Sequence, residues 1–165
     1  MKSLIYVGLA LLVAACATPY QPTGLAGGFT ETQLDTNVFR VTFKGNGVTS
    51  AERAEDMALL RSAELTLQNG FTHFAIADGR SRSESVTFDT PAQATTRGTI
   101  STYGNTSYLN ARTQVTGGDS FTVVKPSTSN TIICFKGKPQ ISAFVYDAQF
   151  IMTSLGSKYG VVAPK

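Results

Sequence analysis

Residues 38 to 78 constrain the fold more than any other stretch of this chain. Val38-Phe39-Arg40-Val41-Thr42-Phe43-Lys44 alternates Phe39, Val41 and Phe43 with Arg40, Thr42 and Lys44. A period of two predicts a strand with one buried face. Gly45-Asn46-Gly47 then turns the chain, and Thr49-Ser50-Ala51-Glu52 has the capping-box form, a hydroxyl followed three residues on by Glu. Apolar residues recur every three or four positions at Ala54, Met57, Leu60, Ala63 and Leu67, with Ala58 and Leu65 alongside. This pattern predicts a helix from about Ser50 to Asn69 with one face in the core. Glu52, Glu55 and Asp56 suit the positive end of its dipole, and Gly70 suits its stop. Phe71 to Asp78 reads as a second strand with Phe74 and Ile76 inward. A helix with one apolar face between two such strands has to pack across a sheet.

The rest of the chain adds strands and a tail. Ser120 to Lys125 reads as a strand, Pro126 to Asn130 as a turn, and Thr131 to Lys136 as another strand ended by Gly137-Lys138-Pro139. Ala148, Ile151, Met152 and Leu155 stand at i, i+3, i+4 and i+7 behind Asp147 as cap, which predicts a short C-terminal helix. Phe150-Ile151-Met152 as strand is the alternative. Between residues 81 and 118, 14 of 38 residues are Ser or Thr and large aliphatics are scarce, so no core segment is expected there. Ser85 to Phe88 can continue a strand, and the rest, about residues 95 to 118, is an exposed hairpin or a mobile loop. The expected fold class is α+β: an antiparallel or mixed sheet of about 5 strands with one long helix on one face and a short C-terminal helix, in a single domain over residues 29–165.

The amino-terminal region decides the address. After Lys2, the apolar run Leu4 to Ala15 has 12 residues. A helix of that length is about 18 Å long, against about 30 Å of bilayer core. It is too short to span and fits the apolar region of a signal peptide, residues 1–15. Val13-Ala14-Ala15-Cys16 resembles the bacterial lipobox. That resemblance implies cleavage between Ala15 and Cys16 and a thioether-linked diacylglycerol on Cys16. The alternative is an ordinary signal peptide with Cys16 incidental. One acyl chain anchors marginally and two anchor stably, so a covalent lipid of this kind would hold the protein on the membrane. Residues 16–28, with Pro19 and Pro22 and no charge, read as the lipidated N-terminus and an extended tether. Ala17 stands where Asp would signal inner-membrane retention, which by the same resemblance favours the periplasmic face of the outer membrane.

Charge and candidate side chains narrow the function. The 14 basic and 11 acidic side chains are scattered, which excludes a nucleic-acid footprint. Cys134 lies in an apolar strand pattern and reads as a buried, inert thiol; His73 is the single histidine, so no metal cluster is expected. No G-x-S-x-G elbow or P-loop is present. Gly45-Asn46-Gly47 reads either as an anion-binding loop or as a tight turn with unusual backbone angles. Arg61 and Glu64 border the apolar face of the helix: a half-buried Glu64 suits acid–base work, and a local ion pair is the plainer reading. Tyr103 and Tyr108 in the Ser/Thr-rich stretch are candidate contacts for a partner.

Three stretches carry a family resemblance: Phe39-Arg40-Val41-Thr42-Phe43-Lys44-Gly45-Asn46-Gly47-Val48-Thr49-Ser50, Ala58 to Leu67, and Gly70-Phe71. Over roughly residues 16 to 78 the chain resembles a family of small uncharacterised lipoproteins of proteobacteria, chiefly alphaproteobacteria. Gly137-Lys138-Pro139 and Tyr146-Asp147-Ala148 echo it more weakly. The resemblance implies the lipid anchor and the cell-envelope address, and it transfers no catalytic residue. The expected function is a lipid-anchored envelope lipoprotein with a non-catalytic structural, assembly or binding role toward an envelope protein partner. It needs no cofactor beyond the lipid on Cys16, and no metal or nucleic acid. A periplasmic small-ligand binder with a pocket between sheet and helix is the alternative, and an envelope hydrolase the weakest reading.

Overall fold

The computed structural model describes residues 17–161. The expected signal peptide, residues 1–15, and Cys16 lie outside the described residues. The described chain forms two compact units: a body of residues 17–84 and 124–161, and a ribbon of residues 85–123.

The strands are β1 (Gly28–Asp35), β2 (Val38–Lys44), β3 (His73–Asp89), β4 (Gln93–Tyr103), β5 (Thr106–Thr116), β6 (Ser120–Phe135) and β7 (Val145–Asp147). The helices are α1 (Ala51–Gln68) and α2 (Ala148–Tyr159). One antiparallel sheet has the order β1-β2-β6-β3-β7, and β4 pairs with β5 separately. The fold is therefore α+β, as the alternation pattern and the helix period predict. β6 lies between β2 and β3, so α1 is the crossover of a split β-α-β unit.

The core forms where α1 meets the sheet. Phe39, Val41 and Phe43 of β2 are buried, opposite Arg40 and Lys44 on the exposed face. Phe29 of β1 pairs with Phe43 and extends the same layer. Phe74 of β3 and Ile132 and Cys134 of β6 continue it. From α1 come Ala54, Met57, Ala58, Leu60 and Ala63, and from α2 come Ala148 and Met152. Each fully buried large side chain of this kind stabilises by about 1.5–3 kcal/mol.

Local chemistry sets the element ends. Ser50 caps α1, its hydroxyl accepting from the Arg53 amide at 3.1 Å. The cap is thus one residue later than the box at Thr49 implies, because the Thr49 hydroxyl is taken by Asn46 and Thr18. Gly70, at φ 76, takes the left-handed conformation just past the C-cap Asn69. Asp147 caps α2 by accepting from the Phe150 amide at 2.9 Å, and Phe150-Ile151-Met152 is helical.

Three expectations are corrected. The turn expected at Pro126 to Asn130 does not exist: β6 runs unbroken from Ser120 to Phe135. Thr128 and Asn130 point inward in register with Ile132, opposite Phe43 and Val41. Pro126 is tolerated because it falls just past the last β2 rung, where only its carbonyl is used, accepting from Gly45 at 2.8 Å. The extended tether over residues 16–28 is, from Thr18 onward, docked on the body, with Thr18 wholly buried. The sequence predicts no strand before Val38, yet residues 28–35 form an edge strand; within it Phe29 is buried and Leu34 exposed.

Phe74 has no accessible surface, whereas Phe150 is 69% exposed. Phe74→Ala should cost about 3–5 kcal/mol of unfolding free energy and Phe150→Ala less than about 0.5 kcal/mol, as read from urea denaturation.

Candidate functional site

Arg61 and Glu64 lie one turn apart on α1, at the rim of its buried face. The Arg61 guanidinium grips Glu31 of β1 with two bonds, Nε and Nη2 each 2.7 Å from a carboxylate oxygen. Its third nitrogen donates to Glu64. The same guanidinium lies 4.4 Å over the Phe29 ring. Tyr20, from the segment before β1, donates its hydroxyl to Glu64 and packs its ring 4.9 Å from Phe29. Gln68 donates to the other Glu64 oxygen at 3.3 Å. Glu64 is 9% exposed while the Glu31 side chain is 38% exposed, so one cation joins a nearly buried carboxylate to an exposed one. Burial first, then the bond to Glu64, raises the Tyr20 phenol well above its ordinary range. Burial alone would lower the Arg61 pKa, but its bonds to Glu31 and Glu64 outweigh that and raise it.

With three donors around it, Glu64 is committed to internal bonds. The cluster works as a clasp. It ties Tyr20 and β1 to α1, and its geometry favours the ion-pair reading of Arg61 and Glu64 over acid–base work.

The chain is fastened a second time at Thr18. Its hydroxyl donates to the Ala26 carbonyl and accepts from the Asn46 amide, each at 2.8 Å, and its own amide donates to the Thr49 hydroxyl at 3.1 Å. Gly27, at φ 92, is required here, since a Cβ would lie 2.2 Å from the Lys44 carbonyl oxygen. The Gly45-Asn46-Gly47 loop spends its first two amides internally, on Pro126 and on Thr18. It contains no positive φ. Gly45 is needed for close approach instead, because a Cβ there would sit 2.8 Å from the Thr49 side chain.

The remaining candidates are dispersed. His73 stands with Nδ1 2.9 Å from the Thr72 hydroxyl and Nε2 4.0 Å from Asp147. The Cys134 thiol is 1% exposed and 3.4 Å from the Thr66 hydroxyl, and burial raises its pKa. Among the described residues no group of three His, Cys, Asp or Glu is placed to hold a metal, and no helix is long and apolar enough to cross a membrane. Between α1 and the sheet, Met57, Leu60, Phe43 and Phe74 leave no accessible surface.

The ribbon holds the other sequence candidates. Its base is closed by the Phe88–Phe121 stack, 5.2 Å between rings, and by bonds between Thr90 and Asp119. Beyond it β4 and β5 pair over 11 residues each, from Gln93 opposite Thr116 to Tyr103 opposite Thr106. The register sorts the side chains. Ala94 faces Val115, Gly98 faces Ala111 and Ile100 faces Leu109 on one side, with rungs Thr96–Thr113 and Thr102–Ser107 bonded at 2.9 Å. Tyr103 and Tyr108 fall on the opposite side as diagonal neighbours, together with Arg97 directly across from Arg112. Ile100, Leu109, Tyr103 and Tyr108 are all more than 60% exposed. Like charges set directly opposite each other are destabilising. Arg97, Arg112 and Gln114 line an open cavity of about 340 Å³.

Arg61 and Glu64 are thus brought together, and so are Tyr103 and Tyr108, but the two pairs belong to different units. Thr18 and Tyr20 escape sequence reading because nothing local marks a Thr or Tyr in a Pro-punctuated segment as buried. Comparison with protein-family models, curated proteins and solved structures finds no match.

Tyr20 titrates higher in the folded chain than its ordinary value of 10.0, so the unfolded chain loses that proton first. Its contribution is intact below about pH 10 and is lost as pH rises beyond that. The unfolding midpoint should fall above about pH 10, and Tyr20→Phe should shallow that fall while lowering stability at pH 7 by about 1–2 kcal/mol, measured by thermal unfolding across pH.

Proposed function

We propose that this protein is a lipid-anchored cell-envelope lipoprotein, held by a diacylglycerol on Cys16 at the periplasmic face of the outer membrane. In this reading it acts by binding an envelope protein through its ribbon and not by catalysis. The observation that carries the binding role is the ribbon's exposure. Every residue of β4 and β5 is exposed, including Ile100, Leu109, Tyr103 and Tyr108. A two-stranded ribbon is marginal in water, and exposed aromatic and aliphatic side chains on such an element mark a contact surface. Val13-Ala14-Ala15-Cys16 supports the anchor, and Ala17 supports the outer-membrane address. The closed packing between α1 and the sheet favours a partner-binding surface over a small-ligand pocket there.

Two outcomes follow. Cys16→Ser should abolish incorporation of labelled fatty acid and release the protein from membranes; a variant that still sediments with membranes at high salt sinks the anchor. A photo-crosslinking residue at Tyr108 should yield a discrete adduct in cells that is lost on changing its diagonal neighbour on the same face, in Tyr103→Asp. Adducts only from a crosslinker at Thr153, exposed on α2, would move the binding surface off the ribbon.

A further inference from the structure

Only two residue steps separate Cys16 from the wholly buried Thr18. Two extended residues reach about 7 Å. The headgroup layer on each side of a bilayer is itself about 5–7 Å deep. A lipid on Cys16 therefore keeps the surface around Thr18 within reach of the headgroups. This step rests on the lipid-anchor reading.

That surface has a definite character. Thr18 is bonded to Ala26 and to the loop of residues 45–49. Ala26 belongs to a tight turn closed by reciprocal bonds between Gly24 and Gly27, at 3.0 and 3.1 Å. Leu25 stands at its tip, fully exposed. Val48, in the adjoining loop, is 63% exposed. Beside them runs a cavity of about 480 Å³ whose lining includes Leu25, Lys44, Arg82, Lys125 and Glu84. Three cations there face one carboxylate, and none of the three forms an ion pair among the described residues. An aliphatic tip flanked by unpaired cations is the chemistry of an anionic bilayer interface.

We propose that this face is a second membrane contact, in which Leu25 and Val48 enter the headgroup layer and Lys44, Arg82 and Lys125 pair with the phosphates of anionic phospholipids. The lipid and the face then act together on the same leaflet. The charged part weakens with salt, because exposed pairs are screened beyond about 8 Å at physiological ionic strength.

The test uses the lipidated protein in phosphatidylcholine vesicles with or without phosphatidylglycerol. Leu25→Cys, Val48→Cys and Thr153→Cys are labelled in turn with an environment-sensitive fluorophore, Cys134 being buried. Quenching by headgroup spin-labelled lipid should be several-fold stronger at positions 25 and 48 than at 153. It should fall several-fold without phosphatidylglycerol and in the triple variant Lys44→Gln/Arg82→Gln/Lys125→Gln, whose unchanged circular dichroism shows that it is folded. Equal quenching at all three positions overturns the proposal, as does quenching indifferent to both phosphatidylglycerol and the triple variant. A parent protein that carries no lipid and does not float with the vesicles overturns the anchor, and this contact with it.

Discussion

The closeness of α1 to the sheet is the constraint on which the body depends. Ala54, Ala58 and Ala63 put small side chains on the buried face, which lets the helix come near enough for Phe43, Phe74 and Ile132 to fill the layer between. Ser62 and Thr66 are also on that face, at no cost in unsatisfied polar groups. Their hydroxyls bond back to the carbonyls of Ala58 and Ser62 at 2.8 and 2.7 Å. A larger residue at any of the three alanines would force the helix outward, and the rim of the interface would open with it.

That rim is where Arg61 and Glu64 sit. A nearly buried guanidinium needs its charge answered and its donors used, and isolated buried ions are costly. Glu31 and Glu64 answer the charge, and Tyr20 adds a neutral donor so that two carboxylates can share one cation. The clasp therefore forms only if β1 and the Tyr20 segment are in place. Without Glu31 the guanidinium would keep only Glu64, and without Tyr20 Glu64 would lose one of its donors, so the position of the helix and that of the amino-terminal segment are coupled.

What was legible in the sequence is what repeats locally. β2, α1 and α2 declare themselves by period, and their capping residues Ser50 and Asp147 stand within a residue of where hydroxyl and carboxylate chemistry puts them. The docking of Thr18 and the course of β6 through Pro126 are set by contacts distant in sequence. Thr18 meets Thr49 across 31 positions, and Thr42 meets Ser129 across 87. Ser127-Thr128-Ser129-Asn130 has turn composition, and only its pairing with β2 makes it a strand. For the clasp, the sequence showed the Arg61–Glu64 spacing but not Tyr20 or Glu31, which arrive from other elements. The ribbon was half legible: its small and hydroxylated residues announce exposure, while its two faces emerge only once Ile100 is known to oppose Leu109.

In the proposed arrangement, a lipid on Cys16 and a protein surface two residues away would behave as a bivalent ligand for one bilayer. Once the acyl chains of such an anchor were inserted, the second contact would be intramolecular, at an effective concentration on the order of millimolar for so short a link. Interactions too weak to recruit a free protein are then populated most of the time. An anchor alone fixes the protein's height above the membrane but lets it swivel. Leu25, seven residues beyond Thr18, and Lys125 of β6 would lie off the proposed anchor point, so engaging them would remove that rotation. In that arrangement the acyl chains would supply affinity, and the cations orientation. Neutralising Lys44, Arg82 and Lys125 should accordingly leave the amount of membrane-bound protein almost unchanged and alter only how the body lies on the lipid.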